Sequence, residues 1–438
     1  MKRILSVTIA LVAALSAVQG ANPKAKIAGT PLAKYTVVYS SSAESEEGAD
    51  AAAYFCGLVS GATGVELSAV TEESAPKARR IVFTNSQRAE GIPTPLKPFD
   101  YSISVKGGNV TIDAGGCWAM QKASRIIADQ LAAGSIASNY KCSGTVDGEF
   151  LFPRGEGVNL RILDDNIWDF SKETIPAKWQ EAGVAPRDNV RAPEFAQLVR
   201  AYMPDVFTMQ EYNRHLDYYL APLLKEYGYV NTYESGSDYD NTPVFYNPET
   251  LELQTVNFHL FTPAKYSNHG SKSFTSAVFK HKGTGRIFAV ISTHLWWKSD
   301  RVLPGSTQAR ASQVRLIMAE AEEIRAAFRC PVFVVGDMNC EEDSIPMKQF
   351  IDGGYVPCYK AASVYGDTRN GHHICGPDDG YSRISRRKGE ERSVGAIDHC
   401  LIWNDRGTVD VKTFDCITAE FTVKLTDHYP NLIDVELL

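Results

Sequence analysis

The sequence predicts an α/β protein with a small α/β domain followed by a larger domain in which two β-sheets are flanked by helices. The length of 438 residues is long for one domain and comfortable for two. A composition of 44% hydrophobic and 22% charged residues is typical of a soluble globular protein with a substantial core. Strand-like segments alternate with amphipathic helical segments in both parts of the chain, which is the pattern of mixed α/β structure.

Residues 1–20 have the pattern of a cleaved secretory signal peptide. Lys2 and Arg3 precede an apolar stretch from Ile4 to Val18, and Val18-Gln19-Gly20 offers small residues for cleavage. The stretch is short for a membrane span, and no cysteine lies at the cleavage point to carry a lipid anchor. No later segment is apolar enough for a transmembrane helix. The sequence therefore predicts a periplasmic or secreted protein.

The charge of the chain disfavours long nucleic acids as its main partner. The formal charge of −7 becomes −9 once Lys2 and Arg3 are removed with the signal peptide. Non-specific binding of nucleic acid depends on cationic contacts to phosphate groups, so an acidic chain is a poor partner, although acidic nucleases exist. Nine cysteines in an exported chain permit disulfides, but their odd number leaves at least one thiol unpaired.

Residues 22–150 predict the smaller domain. Two segments alternate with period two around Gly107-Gly108-Asn109 and predict a β-hairpin. The full set of predicted elements is strands at 35–39 and 80–84, a helix from about 46 that ends near 61, hairpin strands at 101–105 and 110–113, and a helix from about 117 to 131.

Residues 155–438 predict the larger domain. A long helix at 308–328 carries Val314, Ile317, Met318 and Ala321 on one face. The remaining segments include a helix at 191–203, hairpin strands at 274–279 and 287–292, and a long, weakly periodic loop at 366–395. This mixture of hairpins and amphipathic helices is typical of a two-sheet sandwich with helices on its outer faces.

Several apolar, strand-like segments of the larger domain end on residues that bind metal or phosphate or transfer a proton. The clearest is Val332–Asn339, in which four apolar residues and a glycine precede Asp337 and Asn339. An isolated segment of this kind is often a strand that ends in an ordinary turn. The other segments are 160–166, 205–211, 289–294, 396–399 and 426–428. Their recurrence indicates that the strand ends build one site.

The ordered set N…Q-E…T-H-L…G-D-M-N…I-D-H…T-D-H-Y-P resembles the endonuclease/exonuclease/phosphatase superfamily, from about Asn159 to the C-terminus. This resemblance implies a four-layer, DNase I-like sandwich and metal-dependent hydrolysis of phosphoric esters. Residues 22–150, with the segment Gly61–Leu67 after the first predicted helix, resemble the accessory N-terminal domain of bacterial α-glucuronidases and β-hexosaminidases. That second resemblance implies a module without catalytic residues, and contact with a glycan is a possible role.

The resemblance implies a metal site in the larger domain. Glu211, which closes its strand after Gln210, is the best candidate for the principal ligand, and by resemblance Asn166 and Asp427 complete the site. Hard divalent cations prefer oxygen ligands of this kind. We expect Mg²⁺, with Mn²⁺ or Ca²⁺ as alternatives. Taken alone, Glu211 would be read as a solvated acid at a strand end.

The resemblance also assigns catalytic roles. Asp398 and His428 match a carboxylate–imidazole pair, in which the carboxylate fixes the tautomer of the ring. Asp337 positions or deprotonates water, Asn339 holds a phosphate oxygen, and His294 assists the leaving group. The sequence leaves open whether His428 or Asp337 accepts the proton of the water.

Two further residues are candidates for contact with the substrate. Arg310, near the start of the long helix, matches a recurrent arginine of phosphatase-like members, and a solvated helix arginine explains it equally well. Tyr246 ends a strand that we expect near the site, and core packing is an equal explanation.

The sequence as a whole predicts an exported, divalent-metal-dependent phosphoesterase. Its substrate is a phosphodiester or phosphomonoester of a lipid head group, a sugar or a nucleic acid. One alternative is a secreted, DNase I-like nuclease, for which the acidic charge is unfavourable. Another is a glycan-binding surface protein on a relic enzyme fold. The presence of a suitable residue at every catalytic position argues against this alternative.

Overall fold

The computed structural model describes residues 22–39, 46–84, 96, 99–147, 149, 151–168, 188–232, 242–262, 266, 272–365, 396–417, 426 and 428–438. The described residues form two compact units. The N-terminal unit comprises residues up to 151 together with 188–201, and the C-terminal unit comprises 152–168 and 202–438. Among the described residues, no helix combines the length and apolar character needed to cross a bilayer.

The N-terminal unit contains a six-stranded mixed sheet of order β4-β3-β5-β7-β6-β9 and a three-stranded sheet of order β2-β1-β8. Its elements are β1 Lys26–Ile27, β2 Thr30–Pro31, β3 Thr36–Tyr39, α1 Glu46–Thr63, β4 Ala69–Thr71, β5 Arg80–Thr84, β6 Asp100–Lys106, β7 Asn109–Ala114, α2 Cys117–Ala132, β8 Ser135–Ile136 and β9 Lys141–Thr145, with α3 Asp188–Tyr202 grouped here except for its last residue. The predicted hairpin is present, because β6 and β7 pair antiparallel with Val105 opposite Val110. Alternate residues of these two strands are buried, as the period-two pattern predicts.

The C-terminal unit is a sandwich of two β-sheets, which confirms the predicted fold class. One sheet has seven strands in the order β12-β13-β11-β10-β22-β21-β19, and the other has six in the order β14-β15-β16-β17-β20-β18. The strands are β10 Leu160–Asn166, β11 Val206–Gln210, β12 Val230–Asn231, β13 Val244–Tyr246, β14 Leu251–Leu260, β15 Ser273–His281, β16 Ile287–His294, β17 Val332–Asp337, β18 Val356–Pro357, β19 Val364–Tyr365, β20 Asp398–Trp403, β21 Val409–Cys416 and β22 Asn431–Leu437. The helices are α4 Arg214–Glu226, α5 Ser306–Phe328, α6 Ile345–Asp352 and α7 Cys358–Ala361.

Strand β16 shows how the sandwich divides its apolar residues between two cores. Phe288 and Val290 lie in the core between the sheets. Ala289 and Ile291 point to the opposite face and pack in a second core that includes Ile317 of α5. A strand buried on both faces reads as a continuous apolar run, which explains why the sequence here is apolar without alternation.

A buried ion pair fixes the register of the central strands β10 and β22. The guanidinium of Arg161 makes a bidentate contact with Asp434, with Nε to Oδ1 at 2.6 Å and NH2 to Oδ2 at 2.8 Å. The two residues are direct partners across the strand pair. Because a shift of one residue would separate them and leave two buried charges unpaired, the pair sets where β10 ends.

Parallel pairing brings the ends of the polar-terminated strands together at one edge of each sheet. In one sheet β10 and β11 run parallel, with Asn166 opposite Gln210. In the other sheet β16 and β17 run parallel, with His294 opposite Asp337, and β20 begins at Asp398 opposite Asp337. The predicted convergence of strand ends is therefore a result of the topology.

Gly336 occupies a position that no other residue fits. Its φ of +133° lies in a region that L-residues rarely adopt. A Cβ atom here would lie 2.0 Å from the carbonyl oxygen of Thr293 on the neighbouring strand and 3.1 Å from Nε2 of Gln210 on the other sheet. The glycine thus allows the close approach of backbone and side chains directly below Asp337.

We expect Gly336→Ala to destabilise the C-terminal unit by roughly 3 kcal/mol or more, because the new methyl group meets backbone that has no room to move. Thermal and urea unfolding of the full chain measure the change. Gly155→Ala is the matched control, since its nearest neighbour would be a Val158 methyl group at 3.8 Å, an ordinary contact. Equal stability of the two variants would contradict this account of Gly336.

Candidate active site

The candidate site lies in the C-terminal unit, where the strand ends of both sheets meet. Five of the predicted residues lie together there, and each has a relative exposure of 4% or less. They are Asn166, His294, Asp337, Asp398 and His428. The side chain of Glu211 is more open, at 21% exposure. Asp427, predicted as a metal ligand, lies outside the described residues.

Asp337 is at the centre of the site. Its Oδ1 accepts a hydrogen bond from the backbone N–H of Asn339 at 2.8 Å, and its Oδ2 accepts one from Nδ2 of Asn166 at 3.1 Å. Oδ2 also lies 3.4 Å from Nε2 of His294 and 3.9 Å from Nε2 of His428. The Asn166 contact links the two sheets, because Asn166 ends β10 and Asp337 ends β17.

The environment keeps Asp337 ionised. Burial alone would raise the pKa of its carboxyl group, but the nearby rings of His294 and His428 and the ammonium of Lys272 outweigh burial and lower that pKa. A carboxyl group with a lowered pKa is a good hydrogen-bond acceptor and a weak base.

Asp398 and His428 form the predicted carboxylate–imidazole pair. The ring Nδ1 lies 2.8 Å from Oδ2 of Asp398, and because a carboxylate only accepts, Nδ1 is the donor. This tautomer directs Nε2 towards Asp337. The segment that carries His428 is attached to β10, because the hydroxyl of Thr426 donates to the carbonyl oxygen of Asn166 and accepts from the backbone N–H of His428.

Lys272 is a functional candidate that the sequence reasoning missed. It is 3% exposed, and its Nζ lies 3.1 Å from Nδ1 and 2.5 Å from Nε2 of His294. The predicted site residues follow strand ends, whereas Lys272 precedes β15, whose first residue, Ser273, is the antiparallel partner of His294. Counting back along the predicted hairpin from His294 would have identified it.

Two site residues have left-handed backbone conformations. Glu211 has a φ of +61°, which is costly for glutamate, and Asn339 has a φ of +49°, which asparagine tolerates. Glu211 directly follows the last residue of β11, so the sharp change of direction aims its side chain away from the strand. Its Oε1 lies 3.9 Å from Nε2 of His294. Such strain is characteristic of functional positions.

A polar network lies between the sheets beneath the site. Oδ1 of Asp164 accepts hydrogen bonds from the hydroxyl of Thr208 at 2.7 Å and from Nε2 of Gln210 at 2.9 Å. The same Nε2 lies 3.3 Å from the hydroxyl of Ser292 on the other sheet. Burial raises the pKa of Asp164 to about 7, against the lowering effect of these two hydrogen bonds.

The carboxylates of the site suit a hard divalent cation, because they offer oxygen ligands and concentrate negative charge around the proposed ligands Glu211 and Asn166. Potential ligand atoms of Asp337, Asp398 and His428 all lie within 4.8 Å of one another, and Glu211 adds a partly exposed carboxylate. Oδ1 of Asp398 is buried and accepts no hydrogen bond within the described part of the chain. A buried carboxylate oxygen without a donor is costly, and a nearby cation is the usual compensation.

The structure places the two predicted substrate contacts away from this role. Tyr246 is the strand partner of Val206 at the start of β11, whereas Glu211 follows the end of β11, about 13 Å further along the strand. The ring of Tyr246 packs against Phe279, with 5.2 Å between ring centroids. The expectation that Tyr246 lies near the site is therefore wrong.

Arg310 is buried, and its guanidinium group is held by backbone carbonyl oxygens. It is 7% exposed, and its NH1 donates to the carbonyl oxygens of Trp296 at 3.0 Å and Lys298 at 2.8 Å. A guanidinium group held by two carbonyl oxygens stabilises the segment that follows His294. Arg310 is a positioning residue for that segment, which corrects its expected contact with substrate.

Comparison with known proteins finds a family model that covers most of the candidate site. The model of a family described as the endonuclease/exonuclease/phosphatase family matches residues 182–428, more than half of the chain. An RNA exonuclease of Saccharomyces cerevisiae, NGL1, is 33% identical over 86 residues, which cover 18% of this chain and 22% of the yeast protein. The match thus spans about a fifth of that relative.

Several solved structures are similar to this chain over about two thirds of its length. An endonuclease/exonuclease/phosphatase from Bacteroides vulgatus has 22% identity and a TM-score of 0.48, covering 64% of this chain and 99% of its own. A mannosyl-6-phosphatase of Bacteroides thetaiotaomicron has 16% identity and a TM-score of 0.48, covering 63% and 99%. The human Nocturnin catalytic domain has 18% identity and a TM-score of 0.45, covering 64% and 94%.

We expect Asp398→Asn and His428→Ala to be strongly non-additive. The two side chains act as one unit through a 2.8 Å hydrogen bond, so the first substitution removes most of the effect of both. The measurement is kcat for a chromogenic phosphoric ester with the two single variants and the double variant. Losses that multiply in the double variant would show that the residues act independently.

We also expect Asp164→Asn to change how stability depends on pH. With a folded-state pKa of about 7, above the ordinary value of 3.8, the native state holds a proton that the unfolded state releases. The stability of the wild type therefore falls as pH rises from about 4 to about 7. The amide introduced by the substitution cannot ionise, so the variant lacks this contribution.

As pH rises over that range, the unfolding free energy of the Asp164→Asn variant should therefore increase relative to that of the wild type, by up to a few kcal/mol. Urea unfolding at several pH values in EDTA measures it. Parallel pH curves for the two proteins would mean that Asp164 ionises normally.

Proposed function

Because the chain belongs to the endonuclease/exonuclease/phosphatase family, we propose that it is an exported phosphoesterase that requires a divalent metal ion and uses water to cleave its substrate. The chain is a hydrolase of phosphoric ester bonds, which is the chemistry of this family. The observation that carries the proposal is the meeting of Glu211, Asp337 and the Asp398–His428 pair at one edge of the sandwich. These groups supply the metal ligands and the proton acceptor that hydrolysis of a phosphoric ester needs.

Mg²⁺ is the proposed metal, with Mn²⁺ or Ca²⁺ able to use the same oxygen ligands. Glu211, Asn166 and Asp427 are the proposed ligands. When bound, the ion supplies Lewis-acid neutralisation of the phosphoryl oxygens. Glu211 suits the role of principal ligand because it combines a negative charge with the most open side chain of the cluster.

We propose that His428 accepts the proton of the attacking water. Both oxygens of Asp337 already accept hydrogen bonds, so Asp337 is better suited to orient water than to deprotonate it. The Asp398 carboxylate supports the positive charge that His428 gains when its Nε2 accepts the proton. Asp398 is thus a positioning residue for His428.

Lys272 and Asn339 suit the leaving group and the phosphoryl group, respectively. As the oxygen of water bonds to phosphorus, the bond to the leaving oxygen breaks and negative charge develops on that oxygen. The Lys272 ammonium lies beside His294, where it offers charge and a proton to a departing alkoxide. The Asn339 amide donates to the carbonyl oxygen of Leu295 at 3.1 Å and has a second N–H for a phosphoryl oxygen.

Export and the N-terminal unit complete the proposal. The charged and apolar pattern of residues 1–20 supports secretion through a signal peptide. We propose that the N-terminal unit is an accessory domain that contacts a glycan, since none of the proposed catalytic residues belongs to it. Substrates of the lipid head group, sugar phosphate or nucleic acid classes all carry the required ester, and the net charge of −7 makes long nucleic acids the least suitable.

We expect the protein to hydrolyse bis-p-nitrophenyl phosphate or p-nitrophenyl phosphate in Mg²⁺, and EDTA to abolish the reaction. Glu211→Gln should lower turnover at limiting Mg²⁺ by at least about 100-fold, because a neutral amide replaces the main anionic ligand. Calorimetric titration with Mg²⁺ gives a second readout that does not depend on turnover.

The control is Glu249→Gln, which removes the same charge from an exposed position of the same unit. Normal Mg²⁺ affinity and rate in the Glu211 variant would refute the ligand assignment. Unchanged hydrolysis in EDTA would refute metal dependence itself.

A further inference from the structure

The segment that follows His294 contains two adjacent tryptophans with opposite environments. Trp296 is 1% exposed, its indole Nε1 donates to the hydroxyl of Ser306 at 3.0 Å, and its ring meets Tyr266 edge to face. Trp297 is 51% exposed. The exposed ring therefore lies three residues beyond a side chain of the active site.

The backbone on both sides of Trp297 is held in place. Arg310 donates to the carbonyl oxygens of Trp296 and Lys298, at 3.0 and 2.8 Å. The amide of Asn339 donates to the carbonyl oxygen of Leu295 at 3.1 Å, which ties the segment to the site itself. An exposed aromatic ring on a fixed backbone can bind a ligand without a large loss of conformational entropy.

Lys298 adds a cation beside the rings. Its Nζ lies 5.1 Å from the centroid of the Trp297 ring and 5.7 Å from that of Trp296, within the range of cation–π interactions. Lysine is a hydrogen-bond donor without acceptor capacity. The surface formed by Trp297 and Lys298, here termed the aromatic ledge, thus combines an apolar face with a donor.

We propose that the aromatic ledge binds the hydroxylated ring of a sugar or polyol that is the leaving group of the substrate. The proposal rests on the function proposed above and narrows its substrate class. The negative face of an indole attracts the weakly positive C–H groups on the flat side of such a ring. The hydroxyl oxygens of the same ring accept hydrogen bonds, which the Lys298 ammonium donates.

A nucleobase fits the aromatic ledge less well. Recognition of a base uses hydrogen bonds to an edge that carries both donors and acceptors. The Lys298 side chain offers donors alone. The hydroxyl groups around a sugar or polyol ring each offer acceptor lone pairs to the Lys298 ammonium, whereas only part of the edge of a base does, so the chemistry of the aromatic ledge favours the sugar or polyol.

Competitive inhibition of chromogenic ester hydrolysis tests the proposal with methyl phosphate, glucose 6-phosphate and adenosine 5′-monophosphate as the inhibitors. Methyl phosphate reports on the phosphate site without a ring. For the wild type, we expect a lower inhibition constant for glucose 6-phosphate than for methyl phosphate. Trp297→Ala should raise the constant for glucose 6-phosphate about tenfold and leave that for methyl phosphate unchanged.

Two further variants keep the test specific. Trp297→Phe should retain part of the preference, because it keeps an aromatic face. Tyr218→Ala removes another exposed aromatic ring, 74% exposed on α4, and should change none of the constants.

The outcomes separate this proposal from the proposed function. Equal effects of Trp297→Ala on methyl phosphate and glucose 6-phosphate, or no effect on either, would overturn the aromatic ledge. A selective loss for adenosine 5′-monophosphate would assign it to nucleobases instead and overturn the sugar proposal. Absence of any metal-dependent hydrolysis of the chromogenic esters by the wild type would count against the proposed function.

Discussion

The geometry of the candidate active site depends on the close approach of the two sheets of the C-terminal unit beneath its polar residues. The side chain of Gln210 reaches from one sheet to Ser292 on the other. Because Gly336 has no side chain, it leaves space for the side-chain amide of Gln210. Above this layer, the hydrogen bond from Asn166 to Asp337 joins the last residues of two strands that belong to different sheets. Polar contacts thus join the two sheets at this edge. Because hydrogen bonds are directional, these contacts restrain the relative positions of the strand ends.

The same edge concentrates opposite charges. Asp337 and Asp398 are buried together with three basic residues. His294 lies beside Asp337, His428 contacts Asp398, and Lys272 contacts His294. Each charge would be costly alone, and together they stabilise one another only while the full set is present. A site of this kind suits the reaction that we propose, in which an anion arrives, water loses a proton and an alkoxide departs.

The sequence predicted the parts of this arrangement that follow from strand direction. Apolar runs that end on Asn166, His294 and Asp337 indicated that strand ends build one site, and the pairing of Asp398 with His428 followed from family resemblance. Lys272 was missed because it precedes an antiparallel strand, so its proximity to His294 depends on hairpin register rather than on a strand end. Tyr246 was misplaced for a related reason: its strand runs antiparallel to β11, which carries it to the opposite end of the sheet. Arg310 resembled a ligand-binding arginine in sequence, and only the path of the segment 296–298 reveals that its partners are carbonyl oxygens.

The left-handed backbone of Glu211 has a consequence for how this protein tolerates change. A φ of +61° is one that glycine adopts freely and glutamate adopts at a cost of about 1 kcal/mol or more. A chain with glycine at this position would have a less strained backbone here and would lack the carboxylate that we propose as the principal metal ligand. The proposed role of Glu211 thus comes with a local cost in stability, which is the trade-off between stability and activity expected of a functional position.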